Sequence, residues 1–383
     1  MFIEPRFIFV VVLCWITFAV VPVRFRPHVL TSWSLVFYGL YAPQAIALVL
    51  AVILLAYFVA GRRNKWIVIA VVTGLLLYFK RPAGAAIAGA VTDLQGGSPF
   101  VPLGFSYLAL ELIHYAIERG RGRIRHGTLV DLLAFALFFP CRVAGPIKRF
   151  NDFTSSVAQA TGSAADVYHG CFRILCGLFK KAVLADALGR AAGTISMSTT
   201  RWQAWEAMLA YSLSLYLDFS AYSDFAIGVS RLMGIRVPEN FNWPYFSSNI
   251  QDFWNRWHMT LSFWVRDYVF TNTGRQLFKT RMKARPGAIA ATSYLATFLV
   301  VGAWHGLSPN FLVWGAYHGV LVTAFHFYKT SLPLSVATSA FYQSRAASLA
   351  GMVVTFLLVT IGWVFFRMDV PSAVRVLRLM LVN

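Results

Sequence analysis

Apolar residues along this chain recur in long runs separated by short charged clusters. Runs at 7–21, 29–41, 43–60 and 66–79 are punctuated by Arg24, Arg26, the Arg62-Arg63-Asn64-Lys65 cluster and Lys80-Arg81. That pattern predicts membrane-crossing helices with basic turns between them. Several runs are shorter than the roughly 20 residues a straight span needs, so tilted, broken or re-entrant helices are expected, about nine to twelve spans in all. The first run lacks a small-residue cleavage site and ends at Pro22, and so reads as a retained span. Residues 83–91 are small enough for close helix packing, and Gly96-Gly97-Ser98-Pro99 reads as a loop.

From Pro102 a helical stretch carries Glu111, His114 and Glu118 and ends in the basic run 119–125. Glu111 and His114, one turn apart, are placed to pair. Pro140 and Pro146 interrupt the next apolar region and predict a kink or re-entrant break. Residues 150–167 read as a polar loop. Residues 170–188 read as a helix interrupted by Lys180-Lys181, which suit lipid phosphate or snorkelling. Asp218 and Asp224 follow in an apolar helix, where acids are costly and face a cavity, a partner or an interhelical hydrogen bond. Downstream, 311–328 forms a span carrying His318 and His326, 331–345 is polar, and 347–366 is the final span. Residues 369–383 predict an amphipathic interfacial helix with Val374, Leu377 and Leu381 on one face.

Composition changes the picture in two ways. With 58% hydrophobic and 13% charged residues in 383, the chain reads as one all-α polytopic membrane domain over 1–383. The excess of 34 Lys and Arg over 15 Asp and Glu, net +19, marks cytoplasmic loops facing anionic lipid and suits an acidic partner. Nucleic-acid binding is not expected, because no soluble basic domain is present to carry it. Cys14, Cys141, Cys171 and Cys176 lack zinc or redox spacing and read as packing residues, and no metal site is expected.

Candidate chemistry concentrates between residues 238 and 319. Ser248-Asn249-Ile250-Gln251 reads as a capping box opening a helix to about residue 270, with Asp252 and Arg256 paired at i, i+4. On that helix Asn255, His258 and Ser262 would share a polar face. His305 follows the apolar run 288–304 and precedes Gly306 and Ser308-Pro309, which suit the start of another helix. It therefore sits in a break between two embedded helices, tolerated only where protein buries it or water lines it. A histidine there is either a proton acceptor or a hydrogen-bonded group fixing two helices. His318, thirteen residues on, is assigned support rather than chemistry.

The run from Asn249 through Trp257-His258 to Asp267 and Phe270, with Trp304-His305-Gly306 and Trp314-Gly315-Ala316-Tyr317-His318-Gly319, strongly resembles the membrane-bound O-acyltransferase (MBOAT) family. The first run is most similar to its D-alanyl-transfer branch. Val143-Ala144-Gly145-Pro146-Ile147 resembles another family segment, while the stretches around Asp218 to Asp224 and Gly362 to Arg367 look like the alginate O-acetylation branch. The likeness covers most of the chain from about residue 102.

The resemblance implies an MBOAT-type helical bundle with broken or re-entrant helices around a central tunnel. It makes His305 the catalytic residue and His258 its partner across that tunnel, with Asn255, Trp257, Ser262, Trp304, Gly306, His318, Asp218 and Asp224 in the substrate tunnel or supporting it. Trp304 and Trp257 would wall the passage. Gly302, Ala303 and Gly306 would leave room for a narrow acyl group, or merely allow close packing. No bound cofactor is implied. The donor is an acyl thioester, on the phosphopantetheine of an acidic acyl carrier protein at the cytoplasmic face or on acyl-CoA. D-alanyl is the leading acyl group and acetyl stays open. The acceptor is a hydroxyl of an extracytoplasmic cell-envelope polymer, reached directly or through an intermediary acceptor protein. The enzyme would be a multi-pass protein of the inner (cytoplasmic) membrane, in contact with membrane lipid. Two other classes fit parts of the sequence: a transporter, from the broken helices and intramembrane acids, and a protein whose histidine pair ligates haem.

Overall fold

The computed structural model describes residues 4–81, 102–124, 127–340 and 342–382. The expectations for 83–91 and 96–99 lie outside them. Among the described residues every regular element is helical. The four apolar runs become α1 (Pro5–Val20), α2 (Arg26–Tyr41), α3 (Ile46–Val59) and α4 (Lys65–Phe79). Next come α5 (Phe105–Gly120), α6 (Leu129–Leu137), α7 (Phe150–Gln159), α8 (Ala164–Phe179), α9 (Asp186–Ala192) and the long α10 (Arg201–Leu232). The remainder is α11 (Ile250–Arg256), α12 (Met259–Val265), α13 (Thr271–Phe278), α14 (Pro286–His305), α15 (Pro309–Ser331), α16 (Leu334–Ala337), α17 (Arg345–Arg367) and α18 (Val370–Leu381).

By length and hydropathy alone, α14 and α17 qualify as full spans among the described residues, while the other apolar helices are shorter, as the run lengths anticipate. α1, α3 and α4 are apolar on all sides. Each buries one stripe, such as Phe7, Val10, Cys14 and Phe18 on α1, and leaves residues such as Phe9, Phe58 and Trp66 exposed. A helix apolar all round in this way is suited to lipid on its outer face.

The described residues divide into two compact units. Of the described residues, one draws on 4–79, 102–124, 127–183 and 218–239, the other on 80–81, 184–217, 240–340 and 342–382, so α10 gives its first half to the second unit and its second half to the first.

In the first unit, Glu111 of α5 does not pair with His114. Its buried carboxylate binds Lys148 Nζ at 2.6 Å and Arg142 Nη2 at 3.2 Å, while His114 Nε2 accepts the Phe150 backbone N–H at 3.0 Å. Lys148 is about 1% exposed and packed over the rings of Phe135, Phe138 and Phe153. The proline-rich break is real: α6 ends at Leu137, a short 3-10 turn spans Phe139–Cys141, and regular helix resumes only at Phe150. Residues 150–159 are helical, not a loop. Phe150, Phe153 and Val157 bury one side at i, i+3, i+7 spacing, and polar residues cover the rest. α8 starts on a reciprocal Ser163–Asp166 capping box. Its Gly170 sits where a Cβ would meet the Gly228 carbonyl of α10 at 2.9 Å, so small residues set that contact.

The second unit is built on the α14–α15 hairpin. A Cβ on Gly302 would overlap the Phe311 carbonyl, and one on Gly315 the Phe298 carbonyl, so both glycines let the two backbones touch. Ser308 and Pro309 open α15 as the sequence indicates. α17 begins at the Ser344 cap, and α18 at Asp369, whose side chain accepts from Ser372 N–H. The buried face of α18 is Ala373, Val376 and Met380; Val374 and Leu381 point outward, one position away from the expected stripe.

Candidate active site

The expected continuous helix through His258 is broken. α11 begins on Asn249, whose side chain accepts Asp252 N–H, and stops at Arg256; α12 starts at Met259. His258 between them has φ 43°, a left-handed conformation that is uncommon for any residue with a side chain. The segment 240–242 fixes the turn. Met259 N–H donates to Asn240 O at 2.9 Å, Thr260 Oγ1 donates to Asn240 Oδ1 at 2.9 Å, and Asn242 N–H donates to Arg256 O at 3.0 Å. The Asp252–Arg256 pair forms at 3.0 Å within the short α11. Strain of about 1–3 kcal/mol is typical of such a position, and it persists only where neighbours over-determine it.

The break turns His258 inward, at about 2% exposure, with its ring centroid 6.1 Å from that of Trp304. Trp304 is also 4.7 Å from His305, the last residue of α14. Around His305 stand Phe311, Trp314 and Phe366, the last at 4.9 Å edge-on. Trp257 is buried among Tyr216, Phe241, Phe253, Tyr245 and Trp363. The structure therefore brings His258, His305, Trp304 and Trp257 into one aromatic-walled region.

Asn255 and Ser262, expected beside His258, line a cavity of about 170 Å³ together with Gln251, Trp254, Arg266, Tyr294, Thr297, Phe298 and Val301. Ser262 Oγ also donates to Trp257 O at 3.1 Å. The α14 positions 294, 297, 298 and 301 form one helical stripe, and His305 continues it one turn beyond Val301.

Gly306 is extended, and a Cβ there would lie 2.5 Å from the Phe311 ring; the Gly302 space is filled by the Phe311 backbone. Both glycines therefore allow close packing against Phe311. His318 is fully buried in a cage of Trp254, Trp314, Tyr317 and Trp363, and a Cβ on Gly362 would press on its Nε2 at 2.6 Å. Asp218 and Asp224 belong to the first unit. There they pair with Lys181 and Lys180, each at 2.7 Å, and Arg173 bridges Asp224 and Glu239. The two lysines thus meet carboxylates, where lipid phosphate or snorkelling was expected.

One site residue has no signal near the motif. Lys80, in sequence only a charge after an apolar run, donates its Nζ to His305 O at 3.2 Å, and its own carbonyl accepts Leu307 N–H at 3.3 Å. The Nζ lies 5.9 Å from the Trp304 ring centroid. Only the basic-after-apolar pattern at Lys80 marked it; its partners are about 225 residues away.

A histidine at a helix end, with a second histidine against the same indole and a cavity along the same helix, suits proton transfer to and from a bound acceptor. The family model for MBOAT, the membrane-bound O-acyltransferase family, matches residues 54–366, and this chain belongs to that family. It is a membrane-bound enzyme that transfers acyl groups to oxygen, so the transport and haem readings do not describe its class. It is 34% identical over 371 residues to the probable alginate O-acetylase AlgI of Azotobacter vinelandii, an alignment covering 91% of this chain and 71% of that one. It is 36% identical over 276 residues to the teichoic acid D-alanyltransferase of Bacillus subtilis, covering 69% and 68% of the two chains. The peptidoglycan O-acetyltransferase of Helicobacter pylori is 34% identical over 256 residues, covering 65% of this chain and 46% of the relative. Both branches suggested by the motifs are thus among its relatives.

Proposed function

We propose that the enzyme O-acetylates an extracytoplasmic cell-envelope polysaccharide from a thioester donor presented at the inner face of the cytoplasmic membrane. The carrying observation is the placement of His305 at the end of α14, walled by Trp304, Trp314 and Phe366 and approached by His258. His305 takes the proton of the acceptor hydroxyl as its oxygen attacks the thioester carbonyl. The tetrahedral intermediate collapses, the carbon–sulfur bond breaks, and the thiolate leaves with the proton held by His305. His258 orients the reacting groups. The donor is a carrier-protein phosphopantetheine thioester or acyl-CoA, and the acceptor is met directly or through an intermediary protein.

Acetyl is placed ahead of D-alanyl because the match to the alginate O-acetylase covers 91% of this chain, against 69% for the D-alanyltransferase. D-alanyl transfer is the second reading, favoured by the higher identity of that shorter alignment and by the motif around His258. The deciding experiment is the mass added to surface polysaccharide in cells with and without the protein. An acetyl increment is expected, and a D-alanyl increment would reverse the order of the two readings.

A further inference from the structure

The position of Lys80 bears on which acyl groups the site accepts. Its side chain and its backbone both hold the turn after α14, through His305 O at 3.2 Å and Leu307 N–H at 3.3 Å. The ammonium therefore has a fixed place at the catalytic turn, where it caps the negative end of the α14 dipole. It also lies 5.9 Å from the Trp304 ring, which both histidines contact.

Three of the five carboxylates of this unit are engaged elsewhere. Asp252 pairs with Arg256, Asp267 with Arg266, and Asp369 caps α18. Asp186 and Glu206 are exposed. The cavity beside α14 is lined by Arg266 as its one charged residue. The turn that carries His305 thus holds a fixed positive charge, while among the described residues of this unit the carboxylates are paired, capping a helix or exposed.

Resting on the acyl-transfer reading above, we propose that Lys80 is a specificity-determining residue that selects acyl groups without a positive charge. Acetyl and hydroxyacyl thioesters are accepted, and aminoacyl thioesters are disfavoured through repulsion between the Lys80 ammonium and the α-ammonium. Two unit charges roughly 6 to 8 Å apart at an effective dielectric of about 20 give a discrimination of about thirty- to a hundredfold.

The test uses the full-length purified protein at about pH 6.5, where an α-amino group is protonated. The donors are pantetheine thioesters of acetate, D-lactate and D-alanine; the acceptor is polysaccharide extracted from cells lacking the protein. D-Lactyl and D-alanyl have nearly the same shape and differ in charge, so their ratio of kcat/KM reads charge selection alone. The wild type is expected to prefer D-lactyl at least about tenfold. Lys80→Met should collapse that ratio about tenfold or more, and Lys80→Arg should preserve it. Equal use of the two donors by the wild type would overturn the proposal without any variant, as would an unchanged ratio in an active Lys80→Met protein. Transfer of acetyl by the wild type tests the acetylation reading separately. Acetyl transfer with no lactyl preference removes the role of Lys80 alone, whereas D-alanyl transfer without acetyl transfer removes both.

Discussion

The rings of His258 and Trp304 stand 6.1 Å apart, centroid to centroid, and Trp304 carries that contact on to His305 at 4.7 Å. One histidine comes from a strained turn and the other from a helix end, so each is held by a different part of the backbone. This arrangement makes the two separable by mutation.

His305→Ala should lower acyl transfer by about a hundred- to ten-thousand-fold, the usual loss on removing a general base, while the protein stays in the membrane. His258→Ala should reduce the rate less. The measurement is acyl incorporation per unit of membrane-inserted protein. Near wild-type transfer by a well-folded His305→Ala enzyme would sink the mechanism.

The left-handed backbone at His258 predicts a stability order independent of catalysis. Asn tolerates that conformation and a β-branched residue does not, so His258→Asn should unfold close to wild type and His258→Val should lose about 1–3 kcal/mol. Thermal unfolding in detergent reads the difference. If the two variants melt together, the turn is not held as described. Both should be poor acyltransferases, since both lack the imidazole.

What the sequence made legible follows from how local each signal is. The apolar runs gave α1 to α4 within a few residues, and Ser308-Pro309 marked the start of α15, because length, apolarity and caps are local properties. The break at His258 was not legible. No Gly or Pro marks it, and its cause is the Asn240 side chain and backbone, some twenty residues upstream. Residues 150–159 looked like a loop by composition, although Phe150, Phe153 and Val157 already had helical spacing. Lys80 read only as a charge in a turn, and nothing marked Lys148 as buried, because their partners, the His305 carbonyl and Glu111, are distant in sequence. The histidine pair was found through motif likeness, whereas its supporting contacts needed coordinates.

Among the described residues, Glu111 is the carboxylate that pairs with buried Arg142 and Lys148. Glu111→Gln removes its charge and leaves two cations in a protein interior. The expected cost is about 3–5 kcal/mol, typical of breaking a buried pair from one side. Expression level and thermal unfolding check this. A double change of Glu111→Gln with Lys148→Met should recover part of the loss, and no recovery would mean that Lys148 does not depend on Glu111.

Recruitment of an acidic acyl carrier should depend on salt, because opposite potentials speed encounter and mobile ions screen them. The structure narrows which cations can take part. Lys148 is withdrawn by burial, whereas Arg121, Arg123, Lys279, Arg281, Lys283 and Arg285 are exposed. Arg121 and Arg123 already pair with Glu118, so their contribution should be the smaller. The cluster at 279–285 flanks and forms the short 3-10 turn Arg281–Ala284, where four cations stand close together in sequence. Replacing Lys279, Arg281, Lys283 and Arg285 with Gln should weaken carrier binding several-fold at low ionic strength and much less at high. Binding of purified acyl carrier protein to the reconstituted enzyme, titrated across salt concentrations, makes the comparison. Equal affinity of wild type and the fourfold variant at low salt would move the docking surface elsewhere on the chain. Wild-type binding that ignores salt would leave apolar contact as the dominant force.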